Sequence, residues 1–287
     1  MSIHHISDTS RWMAYVRALE TQRPDALFRD AFASRLAGEA GEAIAREIGD
    51  VDFIAQSIAV RTAVMDELIQ ETVQGNEVDL VLNLAAGLDT RPWRLALPPG
   101  LRWVDVDLPH VLEFKAGVIG REPATCKYES LPADITAKDA RAEVLQHCSG
   151  ARRALIVTEG FLVYLSPTQV STLARDLHAQ PSMMWWLTDL TGPRALEMLQ
   201  RVWGPRFPGA KFQFAPADSP DFFQRLNWRE VLFRSSQEED KRLKRGPRTA
   251  LLSRVLLWLS PAAFREEMRR LSGIALLARD EALNDER

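Results

Sequence analysis

At 287 residues, 46% hydrophobic and 26% charged, the chain is long enough for one large α/β domain or two small ones and too apolar to be disordered. A net charge of -3 and a pI near 6.0 give no global attraction to nucleic acid or to an anionic membrane, so the expected partner is a small molecule, neutral or weakly charged. Cys126 and Cys148 cannot form a disulfide framework, no apolar run approaches the roughly 18 residues of a bilayer span, and the opening MSIHHISDTSRWM lacks the basic then apolar pattern of a signal peptide, so a cytoplasmic location is expected.

Residues 1 to 8 read as a loose end that includes His4 and His5, since no other histidine supplies a zinc-like spacing and no metal site is expected. Thr9 to Glu20 and Ala26 to Gly38 are predicted helices separated at Pro24, with Asp25 suited to a first turn. The next helix, Asp52 to about Thr72, places Ile54, Ile58, Met65 and Leu68 on a buried stripe, and Arg61 falls on the same stripe. A guanidinium out of water needs a well-placed anion, because an unpaired buried charge costs several kcal/mol. An ion pair to Asp or Glu and a bound anionic group both answer that need.

Val78 to Pro109 carries the most information. Val78, Leu80, Val81, Leu82 and Leu84 have the composition of a buried parallel strand, which turns at Ala85-Ala86-Gly87. A helix starts after Arg91 with Pro92 and Trp93, Pro98-Pro99-Gly100 breaks it, and Leu101 to Val106 is a second strand with the acids Asp105 and Asp107 at its end. In an open α/β sheet the small-residue loop lies at the carboxyl edge, and an acid closing the second strand is placed to grip a ribose hydroxyl. A dinucleotide loop needs three glycines and only Gly87 is present, while a Walker loop needs a lysine that this stretch lacks. The residues alone therefore leave two readings, a nucleoside site without phosphates and an α/β pair with no ligand.

Beyond it, Pro109 to Gly120 is a predicted helix on which Glu113 and Lys115 are expected to be solvated, and His110 is a candidate base. Cys126 to Tyr128 is a short third strand, Leu131 to Ile135 a loop, and Asp134 a candidate cap for the helix Lys138 to His147. Ala154 to Val157 is a central strand that delivers Glu159 to the carboxyl edge. Ser166-Pro167-Thr168-Gln169 caps the following helix without it, so Glu159 is read as facing a ligand, with Phe161, Leu162 and Tyr164 along the pocket or, for Tyr164, in the core. Ser182 to Leu190 is a fifth strand with Trp185 and Trp186 in the core. Thr191 to Pro220, with five prolines and Phe207, Phe212 and Phe214, is an irregular insertion. A short helix from Phe222, a strand from Trp228 to Phe233, a charged helix after Ser235-Ser236, a helix from Pro261 to Leu271, a strand from Gly273 to Ala278 and a frayed end from Asn284 to Arg287 complete the chain. The basic cluster Lys241, Arg242, Lys244, Arg245 and Arg248 follows Glu238, Glu239 and Asp240 and reads as a solvated face rather than an RNA groove.

The strings NLAAGLDTRPWRL, WVDVDLPHVLEFK, LPADI and VTEGFLVYLSPTQV, in that order, resemble the leucine carboxyl methyltransferase-like family of S-adenosylmethionine-dependent O-methyltransferases. RALETQRPDALFRDAFASRLAG and IAVRTAVMDELI are similar to it too. The resemblance implies a single domain with the Rossmann-like class I methyltransferase fold. It would comprise an N-terminal helical lid over 1–75, a cofactor core over 76–190, a substrate-side insertion over 191–227 after the fifth strand, and C-terminal strands and helices over 228–287. Its sheet would be mostly parallel and seven-stranded, the last strand running antiparallel between the fifth and sixth. The implied cofactor set is Arg61, Ala85, Gly87, Asp107, Leu108, Asp134, Ile135 and Glu159, with Arg61 on the methionine carboxylate and Asp134 on the adenine amine. The family's loop usually reads L-G-x-G, and here Ala85 stands at the first glycine.

The implied reaction is O-methylation of a small molecule's carboxylate, a nucleophile already ionised at neutral pH that needs alignment more than a base. Tyr164 and His110 are the only catalytic candidates. Methylation of a protein C-terminal carboxylate or of a phenol, and a cofactor-binding protein without turnover, are the alternatives. A nicotinamide oxidoreductase is disfavoured by the missing glycines, and RNA methylation by the charge.

Overall fold

The computed structural model describes residues 6–48, 51–205, 209, 211–245 and 260–280. Three helices come first, α1 (Ile6–Gln22), α2 (Ala33–Ile48) and α3 (Val51–Gly75). There follow β1 (Leu80–Leu84), α4 (Arg91–Arg94), β2 (Arg102–Asp107), α5 (Pro109–Ile119), β3 (Lys127–Pro132), α6 (Lys138–His147) and β4 (Ala154–Thr158). A 3-10 turn (Leu162–Tyr164) leads to α7 (Pro167–His178), β5 (Met183–Thr191), α8 (Pro193–Val202) and α9 (Ser219–Gln224). The described chain closes with β6 (Arg229–Ser235), α10 (Ser236–Arg242), α11 (Ala262–Arg269) and β7 (Ser272–Ala278).

The strands form one seven-stranded sheet in the order β3-β2-β1-β4-β5-β7-β6. All pairs from β3 to β5 are parallel, and β7 is antiparallel to both β5 and β6, which is the expected class I methyltransferase arrangement. The strand order reverses between β1 and β4, and side chains at the carboxyl ends of these two strands converge there, as open α/β sheets do at their ligand site. Every residue of β1 and β4 is buried because helices cover both faces. Leu80, Leu82 and Leu84 pack toward Val170, Leu173 and Leu177 of α7, whereas Val81 packs toward Met65 and Leu68 of α3. Trp185 and Trp186 lie in this core as expected. Among the described residues, no helix is long and apolar enough to cross a membrane.

Several local expectations are corrected. The first helix begins at Ile6, so residues 6–8 belong to it, while His4 and His5 lie outside the described residues. The second does not start at Ala26: Asp30 turns its carboxylate to the Phe32 amide and to Arg17, delaying helix onset to Ala33. It also does not end at Gly38, where a φ of 55° makes a kink that the helix continues past. Lys115 is not solvated but 1% exposed, with its ammonium on Asp105. The insertion is not irregular throughout, since Pro193 occupies the first turn of α8 and restricts the chain to a helix-compatible φ there. The basic cluster is not one solvated face. Arg245 is buried and donates to Glu20 of α1 at 2.9 Å, and Arg242 donates to Glu67 of α3 at 2.6 Å. Arg248 and residues 284–287 lie outside the described residues.

Candidate active site

A cavity of about 630 Å³ opens at the carboxyl edge of β1, β2, β4 and β5. Ala85, Gly87, Asp107, Leu108, Asp134 and Ile135 line it, as do Arg61, Glu159 and Tyr164. The structure thus brings the eight sequence-derived binding candidates to one space. His110 is exposed on α5 and outside that lining, so it is corrected as a candidate base.

The loop after β1 takes its shape from two left-handed residues, Ala85 and Gly87, each with a φ of 53°. Glycine adopts this conformation freely, whereas alanine loses about 1 to 2 kcal/mol to its Cβ. Asp107 fixes the loop from the neighbouring strand. Its Oδ2 accepts from the Gly87 amide at 2.6 Å and its Oδ1 from the Leu108 amide at 2.7 Å. Each carboxylate oxygen has further lone-pair capacity, so acceptor sites remain toward the cavity. Burial raises the Asp107 pKa, an effect the two amides only partly offset.

Asp105, the other acid of β2, is fully buried behind the wall. Its Oδ1 accepts from Asn83 Nδ2 at 2.9 Å and Trp103 Nε1 at 2.8 Å, and its Oδ2 from Lys115 and, at 3.1 Å, the Tyr128 hydroxyl. Asp105 and Asp107 share one face of β2, and the place of Asp107 at the strand's carboxyl end is what makes it the cavity acid, two residues beyond the structural one.

Opposite β2 the wall is a lattice of three arginines and four carboxylates. Arg61 Nε donates to Glu159 Oε1 at 3.0 Å and its Nη1 to Asp189 Oδ2 at 3.1 Å, while its Nη2 meets only the thioether of Met13 at 3.7 Å. Gly160, with a φ of 62°, turns the backbone beneath that guanidinium and donates its amide to Asp189 Oδ1 at 2.7 Å. Arg91, 2% exposed, reaches Asp66 and Asp89 at 2.7 Å each and lies 2.7 Å from Glu159 Oε2. Arg94 binds Asp66 with two nitrogens. Burial pushes the Glu159 pKa up, but Arg91 and Arg61 outweigh it and hold the carboxyl below its usual range. The same lattice raises the Arg61 pKa against the effect of burial.

Asp134 does not cap α6, whose N-cap is Ala137 without a side-chain bond. Its Oδ1 instead accepts from the Thr136 amide and hydroxyl at 2.9 and 2.6 Å. Ser166 and Gln169 form the full capping box of α7, as the sequence predicts, which leaves Glu159 free of capping. The wall also carries an apolar group, with Trp12 and Met13 of α1, Ile58 of α3, Tyr164, Trp203 after α8, and Phe212. Burial pushes the Tyr164 phenol up to about 12. Helix α1 is locked to the β1 loop through Arg17, which donates to Asp30 Oδ2 at 2.8 Å and to the Leu88 carbonyl at 2.6 Å, while the Thr90 hydroxyl joins Asp30 at 2.7 Å.

With this geometry in place, comparison with known proteins is informative. The leucine carboxyl methyltransferase family matches residues 10–178. The chain belongs to that family. A protein of Streptomyces coelicolor named as a candidate S-adenosyl-L-methionine-dependent methyltransferase is 32% identical over 74% of this chain and 78% of its own length. A protein of Rhodococcus jostii with the same kind of name is 38% identical over 55% of this chain and 56% of its own. Two solved structures share the fold. One is a family protein from Streptomyces avermitilis, with a TM-score of 0.59, 15% identity and coverage of 97% of this chain and 98% of that one. The other is described as a candidate methyltransferase from Thermobifida fusca, with a TM-score of 0.59, 16% identity and coverage of 97% and 96%.

Within this leucine carboxyl methyltransferase family member, sequence reasoning missed Asp189, Asp89 and Arg91 as parts of the site. Asp189 had a signal, since it is the only charged residue in the largely apolar strand SMMWWLTDL. Arg91 lay inside the motif but was read only as a helix boundary. Its burial depends on Asp66, 25 positions earlier in the chain, which no local pattern shows.

Proposed function

We propose that this chain transfers the methyl group of S-adenosylmethionine to a carboxylate oxygen of a small molecule. Methyl transfer and the cofactor accord with the family and with the names of its relatives. The carboxylate acceptor is a finer reading. One observation carries it: among the described residues no histidine lines the cavity, and its phenol, Tyr164, is pushed up to about 12. A base strong enough to ionise an ordinary hydroxyl is missing, whereas a carboxylate is ionised already and needs only alignment and exclusion of water.

The donor set fits such a cofactor. Arg61 Nη2, a strong donor, is spent on a thioether, which is a weak acceptor, so a methionine carboxylate is a better partner for it. Asp107 keeps acceptor capacity for ribose hydroxyls beyond its bonds to Gly87 and Leu108. Asp134 offers its carboxylate to an adenine amine, with Ile135 for the ring face, and the Ala85 to Gly87 turn keeps its open, left-handed shape despite the alanine. Glu159 holds Arg61 in place instead of touching the reacting atoms. When bound, S-adenosylmethionine supplies a methyl group activated on a sulfonium cation. Tyr164, protonated at neutral pH, serves as a hydrogen-bond donor to the acceptor oxygen.

The test uses S-adenosylmethionine labelled in its methyl group with a panel of small carboxylic acids and phenols. Label in a product that is released by mild alkali marks a methyl ester and supports the reading. Label that survives alkali marks an ether and replaces the carboxylate with a hydroxyl acceptor.

A further inference from the structure

Part of the cavity lining is aromatic. Trp12 and Trp203 lie with ring centroids 5.8 Å apart and planes tilted by 34°. Tyr164 and Phe212 form a second pair at 5.3 Å and 31°. All four line the same cavity, and Trp12, Tyr164 and Trp203 share one packed cluster with Ile58. The pairs come from four places in the chain and meet only in the fold.

The described residues around two of these rings are tied down by hydrogen bonds. Gln213 donates its amide to the Val163 carbonyl at 2.7 Å and its side chain to the Tyr164 carbonyl at 2.8 Å, and Gln200 of α8 donates to the Phe212 carbonyl at 2.9 Å. Only Ala195 of α8 is buried. Leu199 and Trp203 line the cavity, while Met198 and Val202 are 53% and 41% exposed, so α8 serves the cavity wall more than the hydrophobic core.

Charge narrows the acceptor further. The cavity-lining cations Arg17, Arg61, Arg91 and Arg94 are all held by carboxylates of this chain. With each cation already matched by an acid, a second negative charge on the acceptor finds no counterion, and an anion without one is expensive to desolvate. Aromatic walls favour a flat ring over a flexible chain, because ring edges and faces meet in tilted or offset contact and a rigid ring loses little freedom on binding.

We propose that Trp12, Tyr164, Trp203 and Phe212 form the acceptor subsite and that it selects a planar aromatic ring bearing a single carboxylate, with Trp203 the main specificity-determining residue. This rests on the methyltransferase reading above. The acceptor's ring packs among the four side chains, and its carboxylate reaches the polar part of the lining, where Tyr164 meets the Arg61 lattice.

Titration calorimetry on the full chain saturated with S-adenosylhomocysteine tests this with two monocarboxylates of similar size, 1-naphthoate and decanoate. We expect naphthoate to bind at least about tenfold more tightly. Trp203→Ala should weaken naphthoate about tenfold and leave the S-adenosylhomocysteine affinity unchanged, and Trp203→Phe should recover most of the loss. Equal binding of the two acids, or naphthoate binding unaffected by Trp203→Ala, overturns the aromatic subsite. Absence of S-adenosylhomocysteine binding to the unmodified chain is a separate result, and it overturns the methyltransferase reading itself.

Discussion

Arg61 of α3 and Glu159 after β4 face each other across the cavity wall, the guanidinium Nε donating to the carboxylate at 3.0 Å. The other oxygen of Glu159 lies 2.7 Å from Arg91, which is 2% exposed. One carboxylate therefore serves two guanidiniums that both line the cavity, one partly open and one almost fully buried. Two residues read separately from the sequence as ligand contacts support each other in the structure.

That sharing makes Glu159 expensive to neutralise. Glu159→Gln leaves Arg91 and Arg61 each short of one acid, and breaking a buried pair costs about 3 kcal/mol. Urea unfolding should register a loss of that order at pH 7. The sign with pH follows from the depressed carboxyl: its stabilisation is present above the unfolded pKa and fades as pH falls through the lower folded value. The difference between variant and parent should therefore shrink in acid, and a difference that grew there would contradict the lattice.

Asp107 is expected to act on affinity. Asp107→Ala removes an acceptor for ribose and frees the Gly87 and Leu108 amides it holds. A charged hydrogen bond is worth about 1.5 to 3 kcal/mol, so calorimetry should show S-adenosylhomocysteine binding weakened by roughly ten- to a hundredfold. Unchanged affinity would remove Asp107 from the site.

Ala85→Gly tests the strained turn. With a φ of 53°, alanine costs about 1 to 2 kcal/mol there, and glycine gives back about 0.5 to 1 in chain entropy. The variant should be as stable as the parent or more so by up to about 1 kcal/mol in denaturant titration. A loss of 1 kcal/mol would mean that the Cβ makes contacts outweighing its strain.

Asp240 gives a pH dependence of the opposite kind. Burial first and then Glu239 push its carboxyl up to about 6, and its Oδ1 is buried with no hydrogen bond. An acid with a raised folded pKa weakens the fold as pH rises from its unfolded value through 6, and the penalty is complete above that. For a half-exposed group, solvent screening brings the effect to about 1 kcal/mol. Asp240→Asn should gain about that much over the parent at pH 8 and far less at pH 4.5, as thermal midpoints at the two values will tell.

The sheet was legible because its strands carry local signals. Val81 and its neighbours are apolar without interruption, and Ser166 to Gln169 spell a capping box that forms as written. Seven of the eight site candidates reach one cavity because they sit at strand ends, where topology gathers residues distant in sequence, and Arg61 reaches it from α3. What escaped depends on pairing across that distance. Lys115 looks like a solvated helix lysine until Asp105 is found beneath it, and Arg245 belongs to a basic run until Glu20, 225 positions away, claims it. Asp30 resembles an ordinary helix residue, yet it is spent on Arg17 and Thr90. Charge partners between separate elements leave no periodicity to read.

The most direct measurement is the thermal midpoint with saturating S-adenosylhomocysteine, beside NAD as control. A ligand at about 100 times its dissociation constant adds roughly 2.7 kcal/mol, enough to raise the midpoint by several degrees. A rise with S-adenosylhomocysteine alone is the result expected of the cavity built by Asp107, Arg61 and Ala85. A rise with NAD alone, or with neither, would contradict the account.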